Sequence, residues 1–416
     1  MSFVKKHKVL LINFLIAAVA LVIFVIFAVL TRNVQGVYRD VNCYQMSWWT
    51  YLADHGFHGA TTINSVKLTN PWSLASNPCN PTTSNYTTPW YFLIAIFAKV
   101  HPVSVEYVSM ILKIFSAIFV VLCATMVFFI VREIRPRTKY LPMIFAVIAL
   151  FSPVFFGDIL KTNLTDGIYI FFALLAYFLA LKKHWIWAWF SLGVGASFKL
   201  MAVFVLPILL VMYFREFRQL NIREKLSPLN FLLAVVVLSL PNILAGGGFY
   251  DAIIGADILH LGAPQHWGFS AEWIFGSRVA DVKFGSFALM AAYITIFWRV
   301  FAKRSTQNFR EFLPTILVLF LLLAFYFLPA QFETYSALAV IFVLIAWAMT
   351  GKFREAAIFV LLSSLYVWNF CYVDFRGGKN LSVFVLGSRS TLSIIIYLTY
   401  RLFRENKKSR KPFAKN

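Results

Sequence analysis

Lys5-Lys6-His7-Lys8 followed by Val9–Leu30 (VLLINFLIAAVALVIFVIFAVL) is the stretch that decides the fold. Three lysines precede an apolar run that contains no ionisable residue. A bilayer core of about 30 Å takes roughly 20 such residues in helical form. The run exceeds the apolar segment of about 7–15 residues in a cleaved signal peptide, and no small-x-small cleavage site follows it. It predicts an uncleaved first membrane helix with its N-terminus in the cytoplasm. The same grammar, apolar runs punctuated by short basic clusters, continues to the end of the chain.

Composition agrees. The chain is 60% hydrophobic and 13% charged, with a mean hydropathy of +0.75, whereas soluble chains carry about 25% charged residues. The net charge of +21 reads as topology rather than nucleic-acid binding, because 26 of the 38 Lys/Arg fall in clusters at every second helix end. Short basic loops mark the cytoplasmic side. The basic tail from Arg401 to Lys415 also suits contact with anionic lipid.

Twelve apolar spans are expected, at 9–31, 106–131, 140–157, 167–181, 185–198, 200–214, 228–245, 284–301, 312–329, 334–350, 355–373 and 388–403. The pair 185–198 and 200–214 is long for one helix and short for two. A single crossing would put every later basic cluster outside, so two short spans meeting near Lys199 are expected, with both termini cytoplasmic. The prediction is an all-α, polytopic protein of the cell membrane, a single transmembrane domain over 1–416. Its first outer loop, 32–105, belongs to the same domain, and 246–283 is the next longest. Within that loop Tyr44–Phe57 and Pro89–Val100 read as short interfacial helices, with Trp90 and Tyr91 at headgroup depth. Residues 67–88 read as irregular loop. Cys43 and Cys79 share this loop, and a disulfide and two free thiols are equally compatible with it.

Eleven of the 17 acidic residues fall on the side opposite the basic clusters. Ion-coupled transporters need carboxylates at mid-membrane depth, whereas acids gathered at one face suggest chemistry done at that face. Asp40, in Tyr38-Arg39-Asp40 just after the first helix, can serve as a general base, with Arg39 beside it able to pair with phosphate. The same Asp could simply cap the next helix. Asp158 and Asp166 lie in Ser152-Pro153-Val154-Phe155-Phe156-Gly157-Asp158 and Asn163-Leu164-Thr165-Asp166-Gly167. Asp166, at a helix start, suits capping as well as chemistry. Lys199 ends a small-residue run, Gly193-Val-Gly-Ala-Ser-Phe-Lys199, and can snorkel or hold a lipid phosphate. Lys113, in the second span, is of the same class. Glu333 and Tyr335, in Leu328-Pro329-Ala330-Gln331-Phe332-Glu333-Thr334-Tyr335, are costly between apolar runs unless they face a polar cavity.

Taken together, these motifs resemble the GT-C superfamily of integral-membrane glycosyltransferases. The shared features are the large first outer loop with an acid soon after helix one, and the series Pro153, Gly157, Asp166, Lys199 and Pro207. The nearest sets are the GPI-mannosyltransferase-like bacterial proteins and the polyprenyl-phosphate-sugar-dependent mannosyl- and glucosyltransferases. Where some members carry His-Glu-Arg-Tyr, this chain has Phe332-Glu333-Thr334-Tyr335, so Glu and Tyr match while His and Arg do not. The resemblance covers about residues 1–350 in architecture. It implies transfer of a hexose, mannose or similar, from polyprenyl phosphate to an acceptor lipid, glycan or protein on the outer face, with inversion. Asp40 would be the base, with Asp158 and Asp166 as alternatives, and Asp166 would orient sugar hydroxyls. Lys199, with Lys113 or Arg39, would bind phosphate, and Glu333 and Tyr335 would line the cavity. No Asp-x-Asp, Walker loop, dinucleotide fingerprint or His/Cys metal spacing occurs, so neither metal nor cofactor is expected. The rival expectation is a transporter or flippase of lipid-linked sugars.

Overall fold

The computed structural model of the chain describes residues 3–30, 45–63, 66, 87–99, 103–155, 166–244, 271, 274, 282–301, 309–328, 336–376 and 381–408. Among them every regular element is helical and no strand occurs. The first helices are α1 (Phe3–Leu30), α2 (Met46–Thr62), α3 (Thr88–Ala98), α4 (Val105–Ile134), α5 (Leu141–Leu150), α6 (Asp166–Leu181) and α7 (Trp185–Phe198). A 3-10 segment (Leu200–Val205) leads into α8 (Leu206–Glu216), and a one-turn helix (Ile222–Lys225) precedes α9 (Leu229–Leu244). Then come α10 (Val282–Phe301), α11 (Phe309–Phe327), α12 (Ala337–Thr350), α13 (Phe353–Arg376) and α14 (Leu381–Lys408). A helix stands at each of the expected apolar stretches. Three segments, Lys8–Leu30, Val105–Ile134 and Leu200–Gln219, are long and apolar enough to cross a membrane. The chain is a helical membrane protein.

It divides into two compact units, Met1–His260 and Leu261–Asn416. In the first unit, side-chain contacts fix the direction of several helices. Asn13 donates to the Lys139 carbonyl at 3.1 Å, and Phe24 meets Phe151 at 6.5 Å between ring centres. Helices α1 and α5 therefore run parallel, starting from one end. The same end of α4 brings Glu133 against Lys182, and Lys183 reaches Glu216 at 3.0 Å. This basic end gathers the N-terminus of α1, the C-termini of α4, α6 and α8, and the cations around them.

Helix α4 is anchored at its other end. Ser104 caps it by accepting from the Tyr107 N–H at 3.2 Å, Glu106 lies in its first turn and Arg132 in its last. That order suits the helix dipole. Small residues then set the interhelical spacing. A Cβ added to Gly193 of α7 would lie 2.5 Å from the Phe231 carbonyl oxygen of α9, and one on Gly167 of α6 would lie 3.0 Å from the Phe119 Cβ of α4. Close approach of this kind replaces hydrophobic driving force where helices meet in lipid.

The break expected at Lys199 is present. Lys199 is extended (φ −155°, ψ 125°) between α7 and the 3-10 segment. The two arms then run antiparallel, because Ala202 packs near Gly195 while Tyr213 meets Trp185 and Trp189 at 5.4 and 5.7 Å. This reversal is what the sequence argument about alternating ends required.

Helices α2 and α3 depart from expectation. Trp90 and Tyr91 do not face outward but are buried in protein, together with Trp48, Trp49, Leu52, Ile94 and Ala98. They pack on Val108 and Leu112 of α4 and Ile168 of α6, with Trp49 edge-on to Tyr107 at 5.9 Å. The physical reason is periodicity. Trp90, Tyr91, Ile94, Ala95 and Ala98 lie on one helical face, which seeks a protein partner. Helix α2 is broken at Gly56 (φ 56°, ψ −139°), a conformation only glycine adopts without cost.

In the second unit, α11 and α12 are buried on nearly every side from Ile316 to Tyr326 and from Ala337 to Ala346. Glu355 of α13 is buried and accepts from Arg401 of α14 at 2.6 Å and from Arg354 at 2.9 Å. Arg299 of α10 donates to the Phe403 carbonyl at 3.2 Å.

The directions within the first unit lead to a labelling experiment. In a cysteine-free background, Asp54→Cys on the exposed surface of α2 should react with an impermeant maleimide in intact cells. Arg137→Cys, exposed beyond the far end of α4, should react only after permeabilisation. The opposite pattern would invert the orientation.

Candidate functional site

The residues singled out from the sequence divide into two groups. Arg39, Asp40, Asp158, Glu333 and Tyr335 lie outside the described residues. Lys113, Asp166 and Lys199 are described, and all three belong to the first unit. Ser336, the described neighbour of Tyr335, lines a small cavity in the second unit with Tyr366 and Thr391.

Asp166 opens α6 and Lys199 closes α7, and the antiparallel hairpin of the two helices brings them together as an ion pair. Asp166 Oδ1 accepts from Lys199 Nζ, while Oδ2 is buried and accepts no hydrogen bond among the described residues. The Asp166 side chain is 3% exposed and that of Lys199 17%. Each charge sits at the favourable pole of its own helix, the carboxylate at an N-terminus and the ammonium at a C-terminus. Asp166 is therefore more than a cap, because its described bond goes across to another helix. Lys199 also lies 5.6 Å over the ring of Tyr169, one turn along α6.

Three contacts fix this corner. Cys123 on α4 donates its thiol to the Gly167 carbonyl at 3.4 Å. Thr87, at the start of α3, donates its hydroxyl to the Ser197 carbonyl and approaches the Phe198 carbonyl at 3.3 Å. Phe172 and Phe198 stack with rings 4° from parallel. Thr87 thus joins the first-loop helices to the residue pair directly before Lys199.

The pair lies part-way along α4. Gly167 lies beside Phe119 and Val120 of α4, so about 14 residues of α4, roughly 20 Å at 1.5 Å each, extend past it toward α2. Along that extension Ser109, Lys113 and Ser116 are all buried and share one face at i, i+4, i+7 spacing. Lys113 lies about 10 Å along the helix axis from the level of Asp166. On the basic side of that level the buried face of α4 becomes apolar, with Val127, Ile130 and Val131.

Sequence reasoning missed Ser109, Ser116, Tyr169 and Thr87. The serines were visible as a stripe with Lys113. Tyr169 and Thr87 carried no local signal, since their roles depend on which helices meet.

No protein-family model matches the chain, and no curated protein does either.

A stability test follows from the buried pair. Lys199→Met strands the Asp166 carboxylate, and breaking a buried pair from one side costs about 3–5 kcal/mol. The double variant Asp166→Asn/Lys199→Met removes both charges and should recover more than half of the lost thermal midpoint in detergent. Equal losses in the two variants would mean the pair is not energetically coupled.

Proposed function

We propose that the chain is a membrane glycosyltransferase that moves a hexose, mannose or similar, from polyprenyl phosphate to an acceptor lipid, glycan or protein. The reaction occurs at the outer face of the cell membrane, with both termini cytoplasmic, in a fold of twelve crossings like that of the GT-C enzymes. The observation that carries this reading is the Asp166–Lys199 pair, whose buried second carboxylate oxygen has no hydrogen bond among the described residues. A buried acceptor left unpaired costs about 1–3 kcal/mol, which a sugar hydroxyl can offset. A partly buried ammonium suits a phosphate leaving group, and Lys113 would supply a second cation on the approach.

In the proposed step the acceptor oxygen attacks the anomeric carbon in line. The bond from that carbon to the phosphate oxygen breaks, and its electron pair leaves with polyprenyl phosphate, next to Lys199. The acceptor proton passes to a carboxylate, for which Asp40 is the assigned base. One displacement inverts the anomeric centre.

The rival transporter would need polar groups along the whole path. On α4 the buried polar residues Ser109, Lys113 and Ser116 lie on one side of the level of Asp166, and the buried face of that helix toward the basic end is apolar. That asymmetry favours chemistry at one face.

Purified protein is expected to transfer sugar from polyprenyl-phosphate-sugar in excess EDTA and to ignore nucleotide sugars. Asp40→Asn should lower turnover by about 10²–10⁴-fold, the usual contribution of a general base, with unchanged expression. Near-normal turnover would move the base to Asp158 or Asp166. Activity lost in EDTA and restored by magnesium would overturn the metal-free reading.

A further inference from the structure

Lys199 is not free to meet a phosphate. Its ammonium is bonded to Asp166 Oδ1 and lies over the Tyr169 ring, and the Asp166 carboxylate beside it is almost wholly buried. Seating a second anion on the same ammonium sets two negative charges side by side in a low-dielectric recess, where their repulsion is strong. The first anion must therefore give way or weaken the second.

We propose that Asp166 is an internal anion that the donor's phosphate displaces from Lys199, so that donor binding itself frees the Asp166 carboxylate for a hydroxyl. This inference rests on the reading of Lys199 as the phosphate holder. Without donor, Oδ1 is taken by Lys199. With phosphate on Lys199, both Asp166 oxygens become open to hydroxyl donors. A sugar or acceptor hydroxyl then finds both oxygens, where without donor it finds Oδ2 alone. Lysine suits such an exchange, because its ammonium is a single point charge on a flexible stem, whereas an arginine fork holds a carboxylate bidentately.

The sign of the effect is unusual and makes it testable. If Asp166 merely positioned Lys199, neutralising it would weaken phosphate binding. If it competes, neutralising it strengthens binding. The probe is a short-chain polyprenyl monophosphate, the unreactive product, titrated against full-length protein in nanodiscs. Asp166→Asn is expected to bind it tighter by about tenfold or more, the scale of coupling between close buried charges, while turnover falls. Lys199→Gln is expected to bind it weaker.

The outcomes separate. Weaker binding in Lys199→Gln with equal or weaker binding in Asp166→Asn would overturn the displacement and leave Lys199 as the phosphate holder. Unchanged binding in Lys199→Gln would overturn the phosphate site itself and the displacement with it. Should Asp166→Asn fail to fold, wild-type protein carrying 13C-aspartate gives the answer by difference infrared spectroscopy. Adding the probe should shift a carboxylate stretch as Asp166 loses its cation, and a flat difference spectrum would overturn the proposal.

Discussion

A carboxylate placed among packed apolar helices has to find a cation, and the corner of the first unit that holds the candidate site is built around that requirement. Asp166 and Lys199 are far apart in sequence but stand at adjacent ends of an antiparallel hairpin. Their meeting depends on α6 and α7 approaching closely, which Gly195 permits, since a Cβ there would lie 3.0 Å from the Phe172 Cβ. It depends equally on the extended backbone at Lys199, which turns the chain back into α8. Thr87 then ties α3 to the same turn, so the first-loop helices, the hairpin and α4 share one junction.

The helices were legible in the sequence because the signal for each is local. Runs of about 20 apolar residues, or two shorter ones interrupted by a single Lys, declare themselves without reference to a partner. The break at Lys199 was legible for the same reason. The pairing of Asp166 with Lys199 was not, because it depends on which helix ends meet. The burial of α2 and α3 was partly written in the spacing of Trp90, Tyr91, Ile94 and Ala98. Their aromatic content suggested an interface with lipid instead. Two large aromatics at a helix start suit a headgroup layer and a protein core equally well, and only the partner decides. Glu355, beside Lys352 and Arg354 in the sequence, carries no local sign of its place: it is the buried acceptor of two arginines, one of them from another helix.

The two buried acids of the described chain are held in contrasting fashion. Glu355 takes both Arg354 and Arg401 on one oxygen, in the manner of a fixed structural clamp between α13 and α14. Asp166 takes a single lysine. Guanidinium groups are rigid, planar and permanently charged, while an ammonium is mobile. One arrangement suits permanence and the other suits exchange, as proposed above, and the lysine-held acid lies beside the helix that carries the buried Ser109, Lys113 and Ser116.

For the proposed reaction, the place of Asp166 part-way along α4 would sort visitors by shape before any chemistry is done. Roughly 20 Å of α4 rises past the pair, with α2 and α3 packed against its upper turns. A folded domain is too blunt to follow that helix down to a carboxylate at its midpoint. A substrate of the proposed reaction would have to be slender there: an extended glycan end, a thin peptide strand, or a lipid headgroup sliding in along the bilayer plane. Selectivity at such a site is first a question of reach.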